Sequence, residues 1–356
     1  MRKALFGLSL FFCTSLQAAP DVHLSTFSRA EDPWQAAITT DYLRAKVGLH
    51  YDSHPLARID QEIFPLSAVL PKPAFLNLEG GLGRAELAGH LYRDLAEPEG
   101  LGFRSRFWFQ TDLYFNDDTL KHTLGQARIR ETLDIGERFD RYSWRLDFGP
   151  TLREGRLHLD LLLNAGQYFV GREGLFGDNP YYSTFAGVQP TLTLQLSPEL
   201  NLFGGIRYHH EWIRMAGPEN DAEHALGFLG SRYLLGDHLF VFTTSGGYHH
   251  FRPNFNYWEG KARLDWFTRL PLEFEARIGL SYQFRALNFD LYNQTRDNHR
   301  FDTNLALIKH FGRLFAEVWW DFGLNRGEQN TLFGFWQVGV VSYDRHAVGI
   351  NVGLEL

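Results

Sequence analysis

The chain has 356 residues, a formal net charge of −7 at pH 7 and an aromatic content of 15%. No basic stripe interleaves with aromatic residues, which argues against nucleic acid as a partner. After the first 19 residues no segment holds 18 consecutive apolar residues, so the composition excludes helical membrane spans.

Residues 1–19 have the three parts of a secretory signal peptide. Two basic residues precede a short apolar run, and Ala18 and Ala19 stand where a peptidase would cut. Cys13, the only cysteine, lies inside this segment. We therefore predict a mature chain with no disulfide, no cysteine-bound metal and no cofactor.

The next segment, residues 20–75, is irregular and punctuated by prolines such as Pro33, Pro55 and Pro65. Three interpretations stay open for it: the first strand with a long loop, a plug inside a lumen, or a periplasmic extension. We predict that the remainder, residues 76–356, forms one domain.

The main signal in that domain is a strict alternation of apolar and polar residues. Phe103, Phe107 and Phe109 fall on one face of an extended segment, while Arg104 and Arg106 fall on the other. A period of two indicates a β-strand with one apolar and one polar face. The same alternation recurs in the segments 255–267, 272–285, 313–325 and 345–356.

A soluble β-sandwich also alternates, but three features favour a barrel in a membrane. The predicted strands are long, and a strand that crosses a bilayer at a tilt needs about 9–11 residues. Aromatic residues gather near strand ends, as at Trp212 and Trp266. The polar faces carry charges of both signs, which a wet lumen tolerates and a dry core does not.

In these respects the chain resembles the broad class of Gram-negative outer-membrane β-barrel proteins. The resemblance implies an all-β, transmembrane antiparallel β-barrel of 14–16 strands in the cell outer membrane. Members of this class usually end in phenylalanine, whereas this chain ends in Leu356. The resemblance also implies contact with outer-membrane lipid and lipopolysaccharide, and delivery by the barrel-assembly machinery.

Sixteen segments qualify as strands, including 42–52 at the start and 122–136 and 331–343 further on. Counted back from the C-terminus, this set places the long connections on the periplasmic side. That arrangement is the reverse of the usual one, in which periplasmic turns are short, so either one strand is miscounted or the barrel is unusual.

Thirteen ionisable residues on the polar faces are candidates for lining the lumen. Their signs are mixed, which favours cross-strand pairing over a strongly selective pore. The candidates are Arg104, Arg106, Asp112, Arg207, His209, Glu211, Glu259, Arg263, Glu275, Arg277, Arg285, Glu317 and Asp321.

One row among them, Arg207, His209 and Glu211, could hold a general base oriented by a carboxylate. His209 and His210 point to opposite faces of a strand and cannot serve one metal ion, so no metal site is predicted. The usual hydrolase, metalloprotease and nucleotide-binding motifs are absent from the sequence, and no catalytic residue is assigned.

The sequence therefore favours a channel or export barrel for polar solutes, with polysaccharide as one solute class. The alternatives are a structural or assembly-related barrel whose lumen is closed, and a lipid-modifying enzyme of the outer membrane.

Overall fold

A computed structural model describes residues 41–53, 80–95, 100–114, 141–170, 181–213, 221–251, 255–289, 294–327 and 343–356. Within these ranges the chain forms strands joined by turns, and no helix is long and apolar enough to cross a membrane. The strands are β1 (Tyr42–Asp52), β2 (Gly80–Asp94), β3 (Leu101–Tyr114), β4 (Arg141–Glu154), β5 (Leu157–Val170), β6 (Tyr181–Gln195), β7 (Leu200–Ile213), β8 (Ala222–Leu235), β9 (His238–Phe251), β10 (Phe255–Leu270), β11 (Phe274–Phe289), β12 (Gln294–Phe311), β13 (Leu314–Gly327) and β14 (Tyr343–Glu355).

The fourteen strands close into one antiparallel barrel in which each strand pairs with its neighbours in sequence. The last strand returns to the first, with Arg44 opposite Glu355 and Asp52 opposite Ala347. A buried ion pair crosses this seam, where Arg345 Nη2 donates to Asp52 Oδ2 at 2.7 Å. Because a closed barrel has no free edge, its backbone groups pair within the wall. The predicted fold class is confirmed, with 14 strands.

The two ends of the barrel differ in the length of their connections. The end that holds the start of β1 and the end of β14 has the short connections 95–100, 155–156, 196–199, 236–237, 271–273 and 312–313. The opposite end has the longer connections 53–79, 115–140, 171–180 and 328–342, together with three shorter ones. Short turns are periplasmic in barrels of this kind. The first end is thus periplasmic, and we call the second the loop end.

Two of the predicted strands have no place in the barrel wall. Residues 122–136 and 331–342 lie outside the described residues, and the wall closes without them because β3 pairs directly with β4 and β13 with β14. Alternation is a local property that a connecting segment can share with a strand. With 14 strands instead of 16, the count back from the C-terminus places the short turns at the end that holds the C-terminus, which agrees with the usual arrangement.

The turn between β10 and β11 also differs from the prediction. The sequence suggested a strand from residue 272, whereas β11 begins at Phe274. Leu272 and Glu273 have φ angles of 62° and 61°, the left-handed conformation that primed hairpin turns use at both central residues. Residues other than glycine rarely adopt this conformation. The residue types at positions 272 and 273 therefore did not indicate a turn in the sequence.

Part of the segment 20–75 belongs to the barrel, because β1 lies within it and pairs with both β2 and β14. Residues 1–40 and 54–79 lie outside the described residues. The signal peptide, a plug and a periplasmic extension therefore stay predictions.

Candidate functional site

The inner face of the barrel wall carries buried polar and charged side chains at both ends of the barrel. Arg104 near the periplasmic end and Asp112 near the loop end of β3 are both buried. His158 on β5 and Arg285 on β11 are buried in the same way. A buried charge is costly unless it is paired and hydrogen-bonded, so this face requires partners for its side chains.

Many partners come from the same strand, two residues away. Residues i and i+2 lie on one face, and an arginine is long enough to fold back along the strand to a carboxylate. These pairs are Arg145–Asp147 at 2.7 Å, Arg263–Asp265 at 2.6 Å, Arg277–Glu275 at 2.7 Å and Arg300–Asp302 at 2.9 Å.

Other partners lie across strands. Glu259 and Arg285 stand directly opposite each other, with Arg285 Nε donating to Glu259 Oε2 at 3.0 Å. A second bond spans more of the wall: Arg104 Nη1 donates to Asp160 Oδ2 at 2.7 Å. This bond links β3 to β5 and passes over the intervening β4, so the two side chains meet on the inner side of the wall.

The thirteen predicted residues lie on this polar face of their strands, and a lumen-lining role for them stays a prediction. Two of their pairs involve only predicted residues, Arg285–Glu259 and Arg277–Glu275. Further contacts go to residues outside that set. Seven of these are Arg104–Asp160, Arg106–Asp147, Asp112–Arg84, Arg207–Gln189, Arg263–Asp265, Glu317–Asn351 and Asp321–Asn304.

The predicted row of Arg207, His209 and Glu211 does not form a unit. Arg207 Nε donates to Gln189 Oε1 at 2.8 Å, and Glu211 contacts His224 on the next strand. Both contacts go to a neighbouring strand: Gln189 lies on β6, and His224 on β8 is diagonal to Glu211, which stands opposite Ala222.

Instead, three histidines from three adjacent strands stand in one register row, which we call the histidine row. His209 on β7 is opposite His224 on β8, and His224 is opposite His249 on β9. Tyr257 on β10 continues the row. The rings of His209 and His224 stack at 4.3 Å between centroids, and those of His249 and Tyr257 at 4.2 Å.

Hydrogen bonds fix the order of donors and acceptors along this row. His224 Nε2 lies 3.2 Å from Glu211 Oε2, and His224 Nδ1 lies 2.6 Å from His249 Nδ1. A carboxylate only accepts, so His224 Nε2 carries a proton. In neutral His224 the Nδ1 atom then accepts a hydrogen bond from His249 Nδ1. The side chains of Glu211, His224 and His249 are all buried.

The histidine row is not arranged as a metal centre. No group of three or more histidine, cysteine or acidic side chains in the described part of the chain could hold a metal ion. Stacked rings direct their nitrogens edgewise, whereas metal coordination requires the lone pairs to converge on one point.

Sequence reasoning missed His224, Tyr257 and the seam pair Asp52–Arg345 as partners. Their polar alternation is visible in the sequence, but the pairing register that brings them together is not. His249 was not a candidate either, since no acidic residue stands beside it in the sequence and Glu211 lies on another strand.

The outer face of the wall is apolar where the inner face is charged. Val47, Ile206, Leu229 and Ile350 are each more than half exposed. Exposed apolar patches larger than a few hundred Å² are rare on monomeric soluble proteins. This belt encircles the barrel, and lipid is the medium that covers it.

Aromatic side chains border the belt at both ends, as the two bilayer interfaces favour. Trp212, Tyr248 and Trp258 lie near the loop end, and Tyr233 and Phe311 near the periplasmic end. The rings of Tyr248 and Trp258 contact each other at 4.9 Å between centroids. The fold is that of an outer-membrane β-barrel. Its apolar outer face is therefore suited to contact with membrane lipid.

Comparison with solved structures finds outer-membrane barrels of low sequence identity. OmpT of Vibrio cholerae in its in-vitro folded trimer form has 9% identity and a TM-score of 0.42, over 89% of this chain and 98% of that chain. OmpF of Salmonella typhi in complex with daunomycin has 10% identity and a TM-score of 0.40, over 88% and 97%. The CymD monoaromatic hydrocarbon channel has 8% identity and a TM-score of 0.42, over 88% and 88%.

Likeness at this level carries no argument about the function of the outer-membrane β-barrel described here. No protein-family model matches the chain. No curated protein matches it either.

Proposed function

We propose that this outer-membrane β-barrel is a channel for polar solutes. The observation that carries the proposal is the inner face, where charges of both signs run from Arg104 and Asp160 near the periplasmic end to Asp112 and Arg285 near the loop end. Water tolerates such a surface, whereas an apolar interior does not. Eight-stranded barrels are just filled by their side chains and barrels of 16–18 strands leave a channel, so fourteen strands give room for a narrow path.

The proposed lining consists of the thirteen predicted residues and their partners. Paired charges present donors and acceptors without a strong field of one sign. This suits neutral polar solutes such as sugars, and it makes polysaccharide export one form of the proposal. We propose no catalytic role for the barrel, since Arg207, His209 and Glu211 do not assemble as a catalytic group.

The proposal includes the route to the membrane. Residues 1–19 direct secretion, and the barrel-assembly machinery inserts the mature chain with its turns in the periplasm. Residues 20–40 and 54–79 remain candidates for a plug or a periplasmic extension.

Conductance in planar bilayers tests the proposal directly. Purified protein, shown to be folded by its shifted gel mobility before boiling, is expected to give discrete conductance steps. Polymers of graded size added to the solution are expected to reduce these steps only below a size limit, which measures the lumen. Folded protein that inserts without any conductance contradicts the channel.

A closed structural or assembly-related barrel is the second candidate, and the burial of the inner face favours it. Asp112 and Glu211 are each 1% exposed and Arg285 is 5% exposed. Paired side chains that exclude solvent to this degree can fill an interior by themselves. Under this candidate the barrel folds and inserts normally, but the bilayer stays silent at every voltage.

A further inference from the structure

The histidine row brings three buried imidazoles to one carboxylate. His209, His224 and His249 are at most 3% exposed, and Glu211 is 1% exposed. His224 Nε2 lies 3.2 Å from Glu211 Oε2. Within the described part of the chain, neither His209 nor His249 pairs with a carboxylate. Of the three rings, His224 is therefore the one whose positive charge a carboxylate would balance.

Two ring nitrogens of the row are buried and have no hydrogen-bond partner among the described residues. They are Nε2 of His209 and Nε2 of His249. A histidine becomes a cation by carrying a hydrogen on both of its ring nitrogens. On His209 or His249 the cation would therefore hold a buried N–H at Nε2 without an acceptor, which is costly.

The contacts between the rings also oppose additional protons. Nδ1 of His224 and Nδ1 of His249 are 2.6 Å apart, so the hydrogen bond between them has room for one hydrogen. The rings of His209 and His224 stack at 4.3 Å between centroids. Two charged rings at that separation repel each other. A proton on His224 thus makes a second charge on either neighbour unfavourable.

Other charged and titratable groups surround the row on five strands. Strand β6 presents Gly187 and Phe185 to His209, and neither titrates. Arg285 lies over the ring of Tyr257 at 5.4 Å and donates to Glu259. The groups around His209 and His249 are Arg145 on β4, Arg207 and Glu211 on β7, His224 on β8, Tyr257 and Glu259 on β10, and Arg285 on β11. Like charges repel, so the arginines oppose a positive charge on the two histidines.

We propose that the histidine row is an acid-sensitive contact, which holds β7, β8 and β9 together on the inner face at neutral pH and weakens in mild acid. The closed row keeps His209 and His249 uncharged. When the three strands separate, water reaches both rings and they bind protons as free histidines do. The proposal goes beyond the proposed channel, since it applies equally to an open lumen and to a closed barrel.

The direction of the pH effect follows from the protons that each form binds. Below about pH 6.5, where a solvated histidine becomes charged, the separated form binds more protons than the closed form. Acid therefore favours the separated form. Well above this pH both rings are uncharged in both forms, so the row contributes its full stability there and loses it as the pH falls.

Unfolding by urea in lipid vesicles, at a pH of about 7.5 and of about 5, tests the proposal on the full-length mature protein. The substitution His209→Phe keeps a ring that stacks on His224 but cannot bind a proton. Between the two pH values, the unfolding constant is expected to rise about tenfold to thirtyfold more in the unmodified protein than in the variant, the range for one histidine with an ordinary pKa of about 6.5. An equal rise in both proteins overturns the proposal.

His249→Phe is a second variant with the same expectation. It keeps a ring against Tyr257, whose centroid lies 4.2 Å from that of His249. It loses the hydrogen bond to His224, which lowers stability at both pH values, but the ratio of the two unfolding constants still reports the missing proton. The proposal is therefore tested even if one of the two variants does not fold.

His210→Phe is the matched control, because it removes a histidine from the next position of the same strand. His210 points outward, its side chain is 26% exposed, and its Nε2 lies 3.4 Å from Asp221 Oδ2. A charged His210 thus has a carboxylate partner, and we expect its loss not to reduce the rise in acid. A reduction equal to that in His209→Phe would show that the effect is common to histidines and would refute the role of the row.

Amide hydrogen exchange shows where the wall loosens. After correction for the intrinsic effect of pH, peptides from residues 200–251 are expected to exchange about tenfold faster at a pH of about 5 than at about 7.5. Peptides from residues 274–327 are expected to change less, and His209→Phe is expected to reduce the difference. Loosening that is uniform around the barrel contradicts the proposal. Neither measurement requires conductance, so its outcome is independent of the channel.

Discussion

His224 occupies the middle of the histidine row and has a partner on each side. Its ring donates to Glu211 and accepts from His249 while stacking on His209. Because all four side chains are buried, a lost bond here is not replaced by a bond to water. We therefore expect the central residue, His224, to contribute most of the stability that the row provides.

The substitution His224→Ala is expected to lower the free energy of unfolding by about 2–4 kcal/mol, because it leaves the Glu211 carboxylate buried without its imidazole partner. Unfolding by urea in lipid vesicles, followed by tryptophan fluorescence, measures the change.

His250→Ala is the control for this prediction. His250 lies next to His249 but points outward, where its Nδ1 is 2.6 Å from Asn256 Oδ1. Its loss is expected to cost less than about 1 kcal/mol. Equal losses for the two variants would show that the row has no special role in stability.

The contacts between individual residues are the part of the structure that the sequence predicted least well. His209, His224 and His249 are 15 and 25 positions apart along the chain, and they meet only because β7, β8 and β9 pair in one register. Strand register depends on turn geometry and on all the pairs of a ladder together. A single sequence shows which face a residue takes, but it does not show which residue it meets.

At the scale of the element, β8 illustrates how one strand faces lipid on one side and the polar interior of the barrel on the other. Leu229 lies in the middle of the strand and is 66% exposed on the outer face, and Leu235 ends the strand on the same face at 54%. His224 and Arg232 point the other way. The strand is stable in this form only if lipid covers its leucines.

Leu229→Arg is expected to destabilise the barrel by about 2–4 kcal/mol, whereas Leu235→Arg should cost about 0–1 kcal/mol. The charge and the outward direction are the same in both variants, and only the depth in the bilayer differs. Urea unfolding in vesicles provides both values. Similar costs at the two positions would mean that β8 does not cross a bilayer.

The elements themselves were largely predictable, because alternation with a period of two is written into each strand. The limits of this signal are seen at residues 122–136, which alternate but have no place between β3 and β4. They are also seen at Leu272 and Glu273, where a turn forms without glycine. In both cases the decisive factor is pairing with a neighbouring strand, which no local pattern records.

At the scale of the whole molecule, closure joins the ends of the chain. β1 and β14 pair along the seam. The buried ion pair Asp52–Arg345 joins a residue of the first strand to a residue of the last strand. Closure makes the inside and the outside distinct environments, and it allows charged side chains to accumulate on one face while the other stays apolar. The proposed channel depends on this separation.

A cysteine scan along β9 tests the separation most directly. Residues 240–245 are replaced by cysteine one at a time, in a mature chain that lacks Cys13, and each cysteine carries a fluorophore read against a quencher dissolved in the lipid. The account predicts quenching at the even positions, where Phe240 and Phe242 face lipid, and little quenching at the odd positions, where Val241 and Ser245 face the interior. Quenching that does not alternate between neighbouring positions would contradict it.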